Sequence, residues 1–177
     1  MKLVEFGSFT CSHCADFHKQ AHEILKSQYV AGGKVSYELR NFVMNPADYA
    51  ASLVARCQQP AAYFALADTF FRTQENWLKP FMDIPKEKVD ELNAMSPEKR
   101  LLKYIELGGL TNMLKARGIG QAKVEQCLSD KSGEAELEAI RKQAVDVYKL
   151  DGTPTFVING EKQDKVYGWE ALKPKLD

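Results

Sequence analysis

Cys11 and Cys14, set three positions apart, are the residues whose types and spacing promise chemistry in this chain. On the first turn of a helix, two cysteines at that spacing lie within reach of a disulfide and can open and close it with little backbone movement. Free backbone N–H groups and aligned peptide dipoles at a helix N-terminus favour a thiolate, which makes Cys11 the nucleophile. Cys14, one turn deeper, is expected to be buried and to act second, on the sulfur of Cys11. Ser12 and His13 lie between the two. A histidine there is placed to donate to the Cys11 thiolate or to sit beside it as a cation, which favours the reduced pair and makes the disulfide an oxidant.

The flanking elements must hold this pair. Residues Lys2 to Phe9 form a short, mostly apolar run that suits a buried strand. Glu5 is its odd member, and in a strand covered by helices it becomes a buried acid near the cysteines, able to relay the proton of Cys14. Helical spacing then runs from Cys11 to about Tyr29, and alternation returns over Lys34 to Val43. A strand, a helix and a strand with short links imply a right-handed crossover and a parallel pair. No strand signal appears from Pro46 to Lys131, so residues 45–131 read as an inserted all-helical subdomain. Gln59-Pro60 and Gly108-Gly109 interrupt its helices, and Trp77 to Pro97 reads as a loop with room for a short helical turn. Ser132 is expected to cap a helix to about Lys149. A turn at Asp151 to Pro154, a strand Thr155 to Ile158, a hairpin signal at Asn159-Gly160 and a partner strand Lys165 to Tyr167 follow. Trp169 to Leu176 is expected to be a last short helix. Residues 1–44 and 132–177 thus form one discontinuous α/β domain.

The 177 residues, 45% of them apolar, can build one full core. Lys+Arg and Asp+Glu each number 24, so no net field draws in nucleic acid or an acidic membrane. No apolar run is long enough to cross a bilayer. Met1 to Phe6 lacks the features of a signal peptide, and because the first strand begins there, the natural N-terminus is expected upstream. Four cysteines, an even number, fit an oxidising compartment. Cys14, His18 and His22 make one helical stripe, but with so little further ligand support it is read as packing, and neither metal nor cofactor is expected. The alternative from another class is a metal-binding module using Cys11, His13 and Cys14.

The strand leading into Cys11 and Cys14, the helical insertion, and Gly152-Thr153-Pro154-Thr155-Phe156-Val157-Ile158-Asn159-Gly160 together resemble the DsbA-like branch of the thioredoxin superfamily, over essentially the whole chain. The resemblance implies a thioredoxin-like fold, a central mixed sheet flanked by helices. It assigns Cys11 as nucleophile, Cys14 as resolving cysteine, Glu5 as the buried acid, and Pro154 as a cis-proline facing the disulfide. Thr153 would offer its backbone to an extended substrate chain. A threonine there is typical of isomerase and reductase relatives, whereas His13 favours an oxidase. The expected activity is dithiol oxidation, with isomerase or reductase as the alternative. Relatives of α-proteobacterial type carry a second cysteine pair in the insertion, which implies a structural disulfide between Cys57 and Cys127. The expected partners are unfolded or reduced proteins and a DsbB-like membrane protein that re-oxidises the pair; the expected setting is the periplasm, and the expected state a monomer. Kappa-type glutathione transferases also combine a thioredoxin core with a helical insertion, but they usually lack the second active-site cysteine.

Overall fold

The computed structural model describes residues 1–177. Strand β1 (Lys2–Gly7) pairs in parallel with β2 (Ser36–Asn41) and antiparallel with β3 (Thr155–Ile158), which continues through Asn159-Gly160 into β4 (Glu161–Lys162). The sheet order is β2-β1-β3-β4, so β1 is central and hydrogen-bonded on both edges. Helix α1 (Ser12–Ile24) makes the crossover from β1 to β2 and ends in a π-helical turn, Leu25–Val30. The period-two alternation of a strand then sorts β1 into two faces. Leu3 joins Phe17, Phe156 and Trp169 in the apolar cluster beneath α1, while Val4 and Phe6 join Ile140, Ala144 and Val157 on the opposite face. Glu5 shares the face of Leu3 and is therefore carried under α1.

Between β2 and the returning chain run seven helices: α2 (Pro46–Arg56), α3 (Pro60–Arg72), α4 (Gln74–Met82), α5 (Lys86–Asn93), α6 (Pro97–Leu107), α7 (Leu110–Lys115) and α8 (Gln121–Leu128). Their boundaries follow local chemistry. Asn45 caps α2, accepting from the Asp48 N–H at 3.0 Å, with Pro46 at the first helical position. Gly109 breaks α6 from α7 by taking φ +66°, a conformation that costs glycine nothing sterically. The largest apolar cluster joins this insertion to the cysteine end of the α/β part: Phe9, Cys14 and Ala15 pack with Leu66, Phe70, Phe71 and Trp77. Phe9 lies between Phe70 and Phe71, with ring centroids 5.0 and 5.1 Å away.

Three local expectations are corrected. The stretch Trp77 to Pro97 is two helices, α4 and α5, rather than a loop. Pro80 sits inside α4, where it removes one backbone hydrogen bond, but the buried Trp77 donates its indole N–H to the Phe70 carbonyl at 2.9 Å, and tertiary packing outweighs the local penalty. The helix α9 (Lys131–Asp146) is capped by Asp130, which accepts from the Ser132 N–H at 2.9 Å, so Ser132 lies inside it. Strand β4 is Glu161–Lys162, directly after the two-residue turn, and not Lys165 to Tyr167. Lys165 takes φ +60°, which turns the chain off the sheet and delivers Val166 to the cluster beneath α1, ahead of α10 (Trp169–Leu172) and a 3-10 turn, Lys173–Lys175.

Cys57, at the C-terminal end of α2, is bonded to Cys127 of α8, their Cα atoms 5.5 Å apart and 70 positions apart in sequence. A cross-link closing a loop of that length restricts the unfolded chain. Replacing both residues by serine should therefore cost about 2 to 4 kcal/mol in urea unfolding, while leaving the alkylation rate of Cys11 unchanged.

Candidate active site

Cys11 is the N-cap of α1, in extended conformation, and its sulfur accepts from the Cys14 N–H at 3.4 Å. Both cysteines are free thiols; Cys11 is partly exposed and Cys14 fully buried. Their acidities diverge accordingly. The Cys11 pKa is lowered to about 6, chiefly by a hydrogen bond from the Cys14 thiol, with help from Thr153 and from the backbone N–H groups of Cys14 and His13, against an opposing contribution from burial. Burial pushes the Cys14 thiol well above its ordinary value, and the Cys11 sulfur and Glu5 carboxylate add to the effect. One thiol is thus prepared as a nucleophile at neutral pH, while its neighbour holds its proton.

The far end of the chain closes the site. The Thr153–Pro154 peptide bond is cis, and the Cys11 thiol donates to the Thr153 carbonyl at 3.2 Å. The Thr153 hydroxyl points to the Met44 sulfur at 3.6 Å. Ser12 and His13 are exposed on the first turn of α1. His13 contributes its backbone N–H to the Cys11 sulfur, and its ring is not among the groups that lower the Cys11 pKa.

Glu5 is 0% exposed. Its Oε2 accepts from the Tyr37 hydroxyl at 2.5 Å and lies 3.2 Å from His18 Nε2. Gly7 leaves room for this carboxylate, since a Cβ there would sit 2.9 Å from Glu5 Oε1 and 3.2 Å from Leu39 Cδ1. No group of three or more His, Cys, Asp or Glu side chains is arranged to hold a metal ion. The stripe of Cys14, His18 and His22 is instead a packed face, with the His18 ring stacked on Phe71 at 3.9 Å.

Two residues of the insertion hold the cysteine loop, and residue spacing did not single them out. Asp48, fully buried in α2, accepts from the Ser8 hydroxyl at 2.6 Å and from the N–H groups of Phe9 at 3.1 Å and Met44 at 3.0 Å. Burial raises its pKa to about 6 in spite of these donors. Gln74, buried at the start of α4, donates its side-chain N–H groups to the carbonyls of Phe9 at 2.8 Å and Cys11 at 2.9 Å. Asn45 adds a bond to the Thr10 hydroxyl at 2.8 Å. The only sequence signal for Asp48 was its place three residues after a cap, which reads as ordinary helix chemistry; nothing in the sequence marks Gln74.

A family model described as Thioredoxin matches residues 1–177. A Rickettsia bellii protein named as a candidate protein-disulfide oxidoreductase is 29% identical over 175 residues, covering 99% of this chain and 59% of that protein. A similarly named Rickettsia conorii protein is 31% identical over 99% of this chain and 55% of its own length. This chain therefore spans somewhat over half the length of these curated relatives. Among solved structures, a protein-disulfide isomerase from Novosphingobium aromaticivorans superposes with a TM-score of 0.92 at 30% identity, over 99% of this chain and 89% of that one. Wolbachia pipientis alpha-DsbA1 superposes with a TM-score of 0.75 at 19% identity, over 99% and 83%, a likeness of fold.

The lowered Cys11 pKa gives a pH dependence. A thiol whose folded value falls below its unfolded value near 9 adds stability that is fully present above about pH 9 and is lost as pH falls through about 6. The reduced protein should gain stability over its Cys11→Ser variant across that window, and iodoacetamide alkylation of Cys11 should show a midpoint near pH 6. Replacing Asp48 by alanine leaves the Ser8 hydroxyl and two N–H groups without their acceptor. Urea unfolding should show a loss of at least about 1 to 3 kcal/mol, and the alkylation midpoint should rise as the loop loosens.

Proposed function

This chain belongs to the thioredoxin family, and from that footing we propose that it is a thiol:disulfide oxidoreductase of DsbA type whose forward reaction is oxidation of protein dithiols. The observation that carries the reading is the pairing at the N-terminus of α1 of a thiol with pKa about 6 and a buried thiol of raised pKa. A substrate thiolate attacks Cys11 Sγ in the oxidised pair, the Cys11–Cys14 bond breaks, and its electron pair leaves on Cys14. A second substrate thiolate then attacks the substrate sulfur of the mixed disulfide and expels Cys11 as thiolate. A leaving thiolate of low pKa departs readily, which biases the exchange toward the reduced enzyme and the oxidised substrate. The same bias follows from any group that stabilises the Cys11 thiolate, and here those groups are the Cys14 thiol, Thr153 and two backbone N–H groups.

Roles follow for the surrounding residues. Cys11 is the nucleophile and Cys14 the resolving thiol; Ser12 and His13 present the first turn to an incoming chain. Glu5 exchanges the Cys14 proton, and Thr153, ahead of Pro154, offers its backbone to an extended substrate. Beside Thr10 lies a cleft of about 360 Å³ walled by Leu78, Phe81, Met82 and Ile84. Met44, which contacts the Thr153 hydroxyl through its sulfur at 3.6 Å, is 59% exposed, and Met82 is 79% exposed. Flexible apolar side chains around a reactive thiol suit unfolded, reduced proteins of varied sequence. No helix is long and apolar enough to cross a membrane. In this reading the protein acts in the periplasm as a monomer, and a DsbB-like membrane protein restores its disulfide.

A second reading, disulfide isomerisation, is favoured by the name of the Novosphingobium aromaticivorans structure, 30% identical to this chain. Reactivation of a substrate with scrambled disulfides tests isomerisation, and the redox equilibrium of the Cys11–Cys14 pair against glutathione tests the oxidising direction. An oxidase should show a potential of about −200 mV or higher, and a value near about −270 mV would overturn the oxidising direction.

A further inference from the structure

Three arginines of this chain are partly buried, Arg40, Arg56 and Arg100. Arg40 is paired with Glu38, and Arg56 with Glu136. The Arg100 guanidinium has no carboxylate within salt-bridge distance and donates no hydrogen bond, although drawing a charge out of water without a partner costs free energy. Arg100 lines a cleft of about 480 Å³, walled also by Met44, Pro46, Tyr49, Leu101 and Glu134. This cleft adjoins the reactive site. The Cys11 sulfur lies 3.2 Å from the Thr153 carbonyl, the Thr153 hydroxyl lies 3.6 Å from the Met44 sulfur, and Met44 belongs to the cleft wall. Asp48 holds the Met44 N–H at 3.0 Å and the Ser8 hydroxyl at 2.6 Å, so one carboxylate fixes both the mouth of the cleft and the cysteine loop. The hollow beside Thr10 is a separate one, which shares Asn45 and Pro46 with this cleft as a common wall.

The wall has a sign of charge. Glu134, the acid that shares it, has its two carboxylate oxygens 3.0 and 2.9 Å from Lys131 Nζ, so that pair cancels. Glu98 and Glu138 lie nearby, the first beside Lys131 and the second beside Tyr49, but neither lines the cleft. Helices α2, α6 and α9 begin around this wall, and their peptide dipoles add positive potential to that of Arg100. What stays unanswered is the guanidinium fork, whose shape suits bidentate pairing with a carboxylate. We propose that this cleft is a substrate subsite in which Arg100 receives the carboxylate of an Asp or Glu side chain, a few residues from the reacting cysteine of a reduced, extended protein chain. The subsite rests on the thiol-disulfide exchange reading of Cys11 and Cys14 and adds a preference to it. A chain laid across Cys11 and Thr153 passes Met44 and turns its acidic side chain toward Arg100, with the methylene stem against Met44, Tyr49 and Leu101. A basic side chain at the same place meets an unpaired positive charge and is disfavoured. Arg100 touches no reacting atom; it determines specificity.

The test follows oxidation of dithiol peptides by the full chain in its oxidised form, under single turnover. Both peptide thiols are oxidised to a disulfide while the Cys11–Cys14 disulfide is reduced to its thiols. The peptides carry Glu, Gln or Lys at successive positions on either side of one cysteine. Wild type should oxidise the best-placed Glu peptide about fivefold faster than its Lys counterpart at low salt, and the ratio should shrink as salt screens the pair. Arg100→Gln should remove the preference and Arg100→Glu should reverse it. Arg141→Gln, which takes an equal charge from the exposed face of α9, should keep the wild-type ratio. Each result is a ratio within one variant, so a change in folded fraction or in Cys11 acidity cancels. The subsite alone is overturned if wild type shows no preference for Glu over Lys at any position, if the preference survives in both Arg100 variants, or if Arg141→Gln abolishes it as well. If wild type oxidises none of the peptides, the exchange reading and the subsite fall together.

Discussion

Two identical side chains three residues apart must have opposite acidities if one is to attack while the other waits, and that requires two environments within a single helical turn. The N-terminus of α1 supplies them. Its first residue meets solvent, backbone N–H groups and Thr153, whereas the residue one turn on is pressed against the central strand and the aromatic side chains of the insertion. A small rotation or slide of α1 would expose Cys14 or bury Cys11 and erase the difference. The fold is arranged to prevent that movement.

Several chain-distant segments converge on the loop from Ser8 to Cys11. Asp48 draws Ser8, Phe9 and Met44 together from α2, and Gln74 holds the Phe9 and Cys11 carbonyls from α4. The Thr153 carbonyl meets the thiol from the far end of the sequence. Phe9, between Phe70 and Phe71, anchors the loop by apolar contact where the polar side chains anchor it by direction. The helical insertion is thus part of the machinery of the α/β core: its residues satisfy backbone groups of the reactive loop that a burial without partners would leave costly. The Cys57–Cys127 bond ties the C-terminal end of α2, the helix that carries Asp48, to α8.

The same side of the sheet, beneath α1, also buries a charge-bearing residue. Glu5 is costly to bury, and its position is explained by its neighbours, since Tyr37 and His18 give its carboxylate polar contacts and Gly7 gives it space. Tyr37, which holds this carboxylate, also lines a cleft together with His22 and Asp68.

Strong, short-range patterns in the sequence were enough for the order of strands and helices, for the cysteine pair at a helix start, for the helical character of the insertion and for the turn at Thr153-Pro154. Alternation and helical spacing reflect burial on one face, and a Cys-x-x-Cys pair carries its chemistry in its own spacing. The α4 helix through Pro80, the cap at Asp130 and the early end of the hairpin were not legible, because each depends on what packs against the segment. The same holds within the site. Glu5 stood out as an acid in an apolar strand, but its pairing with Tyr37 and His18 arises only when β2 and α1 meet. Asp48 and Gln74 are ordinary helix residues until folding brings the Cys11 loop against them. Local pattern records which face a residue turns inward, and hydrogen bonds across long sequence separations exist only once the layers have packed.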